Sequence, residues 1–90
     1  MKYRSRTDII TAILSVAAPG ATKTRIMYGA YLSYAQVREY LDFLVSKKLL
    51  VYDGTGTYRL TDNGISLLHT FEGIGQVLAV NQEPEVRNTA

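Results

Sequence analysis

Ninety residues, 47% of them hydrophobic with a mean hydropathy near zero, suffice for one hydrophobic core and leave no room for a second domain or for disorder throughout. The chain has no cysteine and a single histidine, His69, so a disulfide framework, a thiolate metal site and a cluster of imidazole ligands are all excluded. Net charge is only +2, but residues 1–61 carry nine Lys/Arg against four Asp/Glu while residues 62–90 carry one against four, which puts any phosphate-facing surface in the first two thirds.

In chain order, residues 1–6 read as a basic arm bearing Lys2, Arg4 and Arg6. Thr7 can cap a first helix of about residues 7–18, in which Ile9, Ile10, Ile13, Leu14 and Ala17 recur three and four apart; Pro19-Gly20 stops it. Thr22 caps a second, two-turn helix that begins at Lys23 and carries Ile26 and Met27 on one side. Ser33 with Gln36 forms a capping box for a third helix of about 34–47. Leu32 and Val37 occupy the hydrophobic-staple positions, and Val37, Leu41 and Leu44 line the inner face.

Leu49 to Tyr52 and Thr57 to Leu60 are short β-prone runs around Asp53-Gly54-Thr55-Gly56, the pattern of a β-hairpin. Thr61 then caps a last helix of about 62–79, with Ile65, Leu68, Phe71, Ile74 and Leu78 at helical spacing and Gly73 and Gly75 interrupting it. Residues 81–90, with Pro84, read as a flexible tail. No apolar run approaches the roughly 20 residues that span a bilayer, and neither a signal peptide nor an anchor is expected. The fold class expected is mainly α with a small β-hairpin. A short second helix, a tight turn and a capped third helix make a helix-turn-helix, and the hairpin after it would be a wing.

The run Lys23-Thr24-Arg25-Ile26-Met27-Tyr28-Gly29-Ala30, followed by Leu32-Ser33-Tyr34-Ala35, resembles the small archaeal winged helix-turn-helix proteins of the Sulfolobus "10a" chromatin-protein type. The similarity extends from Ile9-Ile10 to Tyr58-Arg59-Leu60-Thr61-Asp62-Asn63-Gly64; its Leu-Thr-x-x-Gly ending is common to many winged-helix regulators. The resemblance implies a domain that binds duplex DNA with modest sequence preference and dimerises through the helix after the wing. Such a protein would be a transcription regulator or a nucleoid-associated architectural protein of the cytoplasm. Leu67, Phe71, Ile74 and Leu78, spaced four, three and four, would form the dimer seam. The same stripe could instead close the monomer's own core, and the interrupted helix departs from the long coiled coil of the better-known members.

On that reading, Lys23, Arg25, Arg4 and Arg6 neutralise phosphates, and Ser33, Tyr34, Gln36 and Arg38 present the first turns of the third helix to DNA. Thr55, Thr57 and Arg59 make contact from the wing. Glu39 and Asp42 oppose deeper insertion of the third helix. Each residue has a plainer reading: solvated surface charges for the cations, completion of the capping box for Gln36, an ordinary hairpin turn for the wing glycines. The seven tyrosines could stack on unpaired bases, but tyrosines more often fill small cores with their hydroxyls at the rim, and Tyr40 and Tyr52 are expected to do so. No nucleophile with a base, carboxylate pair or phosphate-binding glycine loop marks an enzyme, no cofactor is expected, and His69 faces only Glu72 at i+3. The rival to a DNA-binding function is a winged-helix module that binds another protein.

Overall fold

The computed structural model describes the backbone of residues 4–82 and the side chains of residues 4–73. Helix α1 (Arg6–Ala17) leads to strand β1 (Ala21–Thr22), helices α2 (Lys23–Gly29) and α3 (Tyr34–Ser46), strands β2 (Leu50–Tyr52) and β3 (Thr57–Leu60), and helix α4 (Asp62–Gln82). The three strands form one antiparallel sheet in the order β1-β3-β2, with Leu50 opposite Leu60, Tyr52 opposite Tyr58, and Ala21 opposite Tyr58 across the other edge of β3.

Apolar spacing sets the core. Ile13, Leu14 and Ala17 of α1, Ile26 of α2, Val37, Leu41 and Leu44 of α3, Leu50 of β2 and Leu68 of α4 form one buried cluster. Full burial of a Leu, Ile or Val side chain stabilises by about 1.5–3 kcal/mol. Among the described residues no polar or charged side chain is buried, so every charge lies where solvent and salt screen it.

Helix α1 starts at Arg6, two residues before the expected Thr7 cap would allow. Ser5 is the cap: its hydroxyl accepts from the Asp8 N–H at 3.0 Å while the Asp8 carboxylate accepts from the Ser5 N–H at 3.1 Å. A shorter Asp thus does what Glu or Gln does in the familiar pattern. Arg6 is therefore part of a helix and not of an arm. Strand β1 escapes a reading by periodicity because it has only two residues, and Thr22 serves twice, as strand and as the cap that accepts from the Arg25 N–H at 3.1 Å.

Helix α4 runs to Gln82, past Gly73 and Gly75, which do not interrupt it. Residues 83–90, most of the expected tail, and residues 1–3, including Lys2, lie outside the described residues. No described helix is long and apolar enough to cross a membrane. Among the described residues no three His, Asp or Glu side chains converge as a metal site would require.

Candidate nucleic-acid interface

The turn between α2 and α3 is made by a Schellman motif. The Leu32 N–H bonds the Met27 carbonyl at 2.9 Å and the Tyr31 N–H bonds the Tyr28 carbonyl at 3.3 Å, with Tyr31 in the left-handed region at φ 57°. Arg4 donates from Nη2 to the Tyr31 carbonyl at 3.1 Å, tying the chain ahead of α1 to this turn. Ser33 and Gln36 close the expected box at 3.1 and 2.9 Å, and Leu32 and Val37 are both buried beneath it. Burial of Val37, Leu41 and Leu44 then leaves Ser33, Tyr34, Ala35, Gln36 and Arg38 facing solvent.

The cations there gather around one ring. Lys23 Nζ lies 4.9 Å from the centroid of Tyr34 and 3.5 Å from its hydroxyl oxygen, and the Arg38 guanidinium carbon lies 6.0 Å from the same centroid. Such contacts on an exposed ring contribute about 0.5–1 kcal/mol, enough to orient the cations and too little to prevent their turning to a phosphate. Arg25 and Thr24 are exposed on α2 and line, with Tyr28, a shallow groove against Ser15 and Pro19 of α1 and its exit. Gln36 spends its Oε1 on the Ser33 N–H, which leaves its amide N–H groups to donate outward; a two-bond pairing with adenine, which needs both ends of the amide, requires the box to open.

The hairpin is organised by Asp53. Its Oδ1 accepts from the Thr55 N–H at 2.8 Å, the Thr55 hydroxyl at 2.7 Å and the Thr57 N–H at 3.2 Å, and its Oδ2 lies 3.7 Å from Arg59 Nε. These bonds, the Thr55 backbone first, hold the Asp53 carboxyl below the ordinary carboxylate range, with the Arg59 charge the smallest contributor. Gly54 and Gly56 have φ of 86° and 100°, so the turn itself accounts for both. Arg59 extends over the edge of β1: a Cβ built on Gly20 would meet its Nη1 at 2.8 Å.

A helix-turn-helix followed by a hairpin on a three-stranded sheet is an arrangement shared with known proteins. A family model described as winged helix-turn-helix matches residues 3–78. The chain belongs to that family. No protein of curated function matches it. Among solved structures this winged helix is similar to Sso10a-2, a DNA-binding protein from Sulfolobus solfataricus, at 29% identity and a TM-score of 0.69, over 90% of this chain and 92% of that one. It is also similar to IdeR from T. acidophilum at 22% identity and a TM-score of 0.64, over 80% of this chain but 35% of that one, a likeness of fold alone.

Within the winged helix, the residues singled out from sequence separate into groups. Lys23, Ser33, Tyr34, Gln36 and Arg38 come together at the start of α3, and Arg4 is tied to the neighbouring turn. Thr55, Thr57 and Arg59 sit on the wing, where the Thr55 hydroxyl and the Arg59 guanidinium already have Asp53 as partner. Arg6 lies elsewhere, 5.4 Å from the Tyr40 centroid and 5.0 Å from that of Phe43, where Lys47 also approaches Phe43 at 5.7 Å. Leu67 packs against the core and Phe71 is half-buried; the Ile74 and Leu78 side chains lie outside the described residues.

Two expectations about tyrosines change. Tyr52 is not core: it is 49% exposed and packs on Tyr58, ring centroids 5.0 Å apart, because the register puts both on one face of the wing. Tyr28 and Tyr31, absent from the expected contact set, are 70% and 84% exposed. Their three-residue spacing with Tyr34 across the turn is the feature of the sequence that marks them.

Proposed function

We propose that this winged helix binds double-stranded DNA, with the first turns of α3 in the major groove and the wing and flanking cations on phosphates, as a transcription regulator or a small chromatin-architectural protein. The reading rests first on the gathering of Lys23 and Arg38 around Tyr34 at the exposed start of α3. The likeness to a solved DNA-binding protein along nearly its whole length supports it. In this role Lys23, Arg25 and Arg38 contact phosphate or guanine, while Ser33, Tyr34 and the free Gln36 N–H groups meet base edges. Glu39 and Asp42, exposed further along α3, hold the rest of that helix away from the polyanion.

The protein acts by binding and not by catalysis, and it dimerises through α4. Binding to random-sequence duplex, followed by fluorescence anisotropy at about 50 and 200 mM salt, tests the reading, since phosphate contact weakens steeply over that range. Arg25→Ala should weaken all duplexes alike and reduce the salt slope by about one. Absence of binding at the lower salt would reject the proposal in favour of a protein-interaction module.

A further inference from the structure

We propose that the turn between α2 and α3 is also a stacking site for the unpaired bases of single-stranded nucleic acid. Tyr31 carries the argument. The Schellman bonds hold it at φ 57°, a conformation in which glycine is at ease and a side chain is strained, and its ring is 84% exposed. A bulky residue kept in a strained backbone state without packing in return indicates use of the ring. Tyr28 and Tyr34, three residues to either side, are 70% and 57% exposed, so two open rings and a third that carries cations lie along one turn.

The electrostatics fit a strand. Lys23 and Arg38 flank the Tyr34 ring and Arg25 lines the groove beside Tyr28, which places cations for phosphates beside rings for bases. A duplex cannot use those rings as faces, because each of its base pairs is already covered on both sides by its neighbours; unpaired bases can. A protein partner would use the apolar area but has no general need of the cations. Lys23, Tyr34 and Arg38 belong to the duplex surface as well, whereas Tyr31 does not, so Tyr31 separates the two activities.

The probe is fluorescein-labelled oligo(dT) of about 12 nucleotides, compared with an abasic strand of equal length and with random-sequence duplex, at low salt. Tyr31→Gly relieves the backbone strain while deleting the ring, so it should raise Tm and yet lower oligo(dT) affinity roughly 5- to 150-fold, leaving duplex affinity within about twofold. Tyr31→Phe should bind oligo(dT) like the parent. The proposal is overturned if the abasic strand binds as tightly as oligo(dT), if Tyr31→Gly binds oligo(dT) normally, or if Tyr31→Phe is as impaired as Tyr31→Gly, which would mean a hydroxyl contact and no stacking. Failure of oligo(dT) to bind overturns it too and points to a protein surface. If the parent protein binds oligo(dT) but not random-sequence duplex, the duplex-binding function is rejected and the stacking site stands.

Discussion

Gly64 has no freedom to become anything larger. The Leu49 carbonyl accepts from the Thr61 N–H at 3.1 Å, the Thr61 hydroxyl donates to the Lys48 carbonyl at 2.6 Å, and the Gly64 N–H bonds that hydroxyl at 3.0 Å. This locks the first turn of α4 onto the exit of α3 so closely that a Cβ on Gly64 would overlap the Leu49 carbonyl oxygen. Gly64→Ala should therefore destabilise by about 3 kcal/mol or more, since backbone on both sides cannot yield as a side chain would. Urea unfolding monitored by circular dichroism measures it, and a loss below about 1 kcal/mol would contradict the packing described. The Leu-Thr-x-x-Gly ending was legible as a motif, but its reason, one glycine under one carbonyl, belongs to the tertiary structure. The Ser33–Gln36 box was legible with its partners because two side-chain types at fixed spacing leave a single geometry. Tyr31 and Lys48, both at positive φ where chains end helices with glycine, were not, because a side chain in that position hides the turn it makes.

At the scale of elements, α3 and the hairpin followed from pattern, and the errors lie at the start of α1 and within α4. The start of α1 was misplaced because Ser5-x-x-Asp8 and Thr7 compete as caps, and the Ser5–Asp8 pair forms two reciprocal bonds. The interruption expected at Gly73 and Gly75 did not occur. A glycine in a helix costs roughly 1 kcal/mol, which weakens a helix without breaking its hydrogen-bond ladder. In the wing, Asp53-Gly54-Thr55-Gly56 was read as a turn but the bonding role of Asp53 was not, although an Asp side chain commonly bonds the backbone two residues on. Because its carboxyl is held below the ordinary range, the ionised form favours the ordered wing. That contribution is complete above the ordinary carboxylate pKa of about 4 and is lost as pH falls through the lower folded value. The Thr55 and Thr57 amide resonances should thus titrate together, at a pH below that of a free aspartate, and Asp53→Asn should abolish the transition. Titration of the parent at or above the free value would show that the Asp53 bonds do not order the wing in solution.

At the scale of the molecule, charge and symmetry decide how one small domain could hold DNA. Nine of the ten positive residues lie in the first two thirds, whereas residues 62–90 carry four acids against one Arg, so the proposed pairing through α4 would use the less basic part of the chain and leave the cations around α3 to DNA. Leu68 and Leu67 of α4 serve the monomer's core, which answers in part for the apolar stripe. Phe71, half-buried one turn further on, is the described residue best placed to begin a seam between copies. Two linked domains on one duplex convert the second contact into an intramolecular one, with a gain in avidity on the order of 10²–10⁴ when both can engage. Phe71→Glu should leave the circular dichroism spectrum intact, reduce the sedimentation mass from two chains to one, and weaken binding to long duplex at least tenfold while hardly changing binding to a duplex that admits one domain. A parent that sediments as a single chain would remove α4 from assembly and assign its whole apolar stripe to the fold. Equal losses on long and short duplex would mean instead that Phe71 supports the domain that contacts DNA, and that each domain binds on its own.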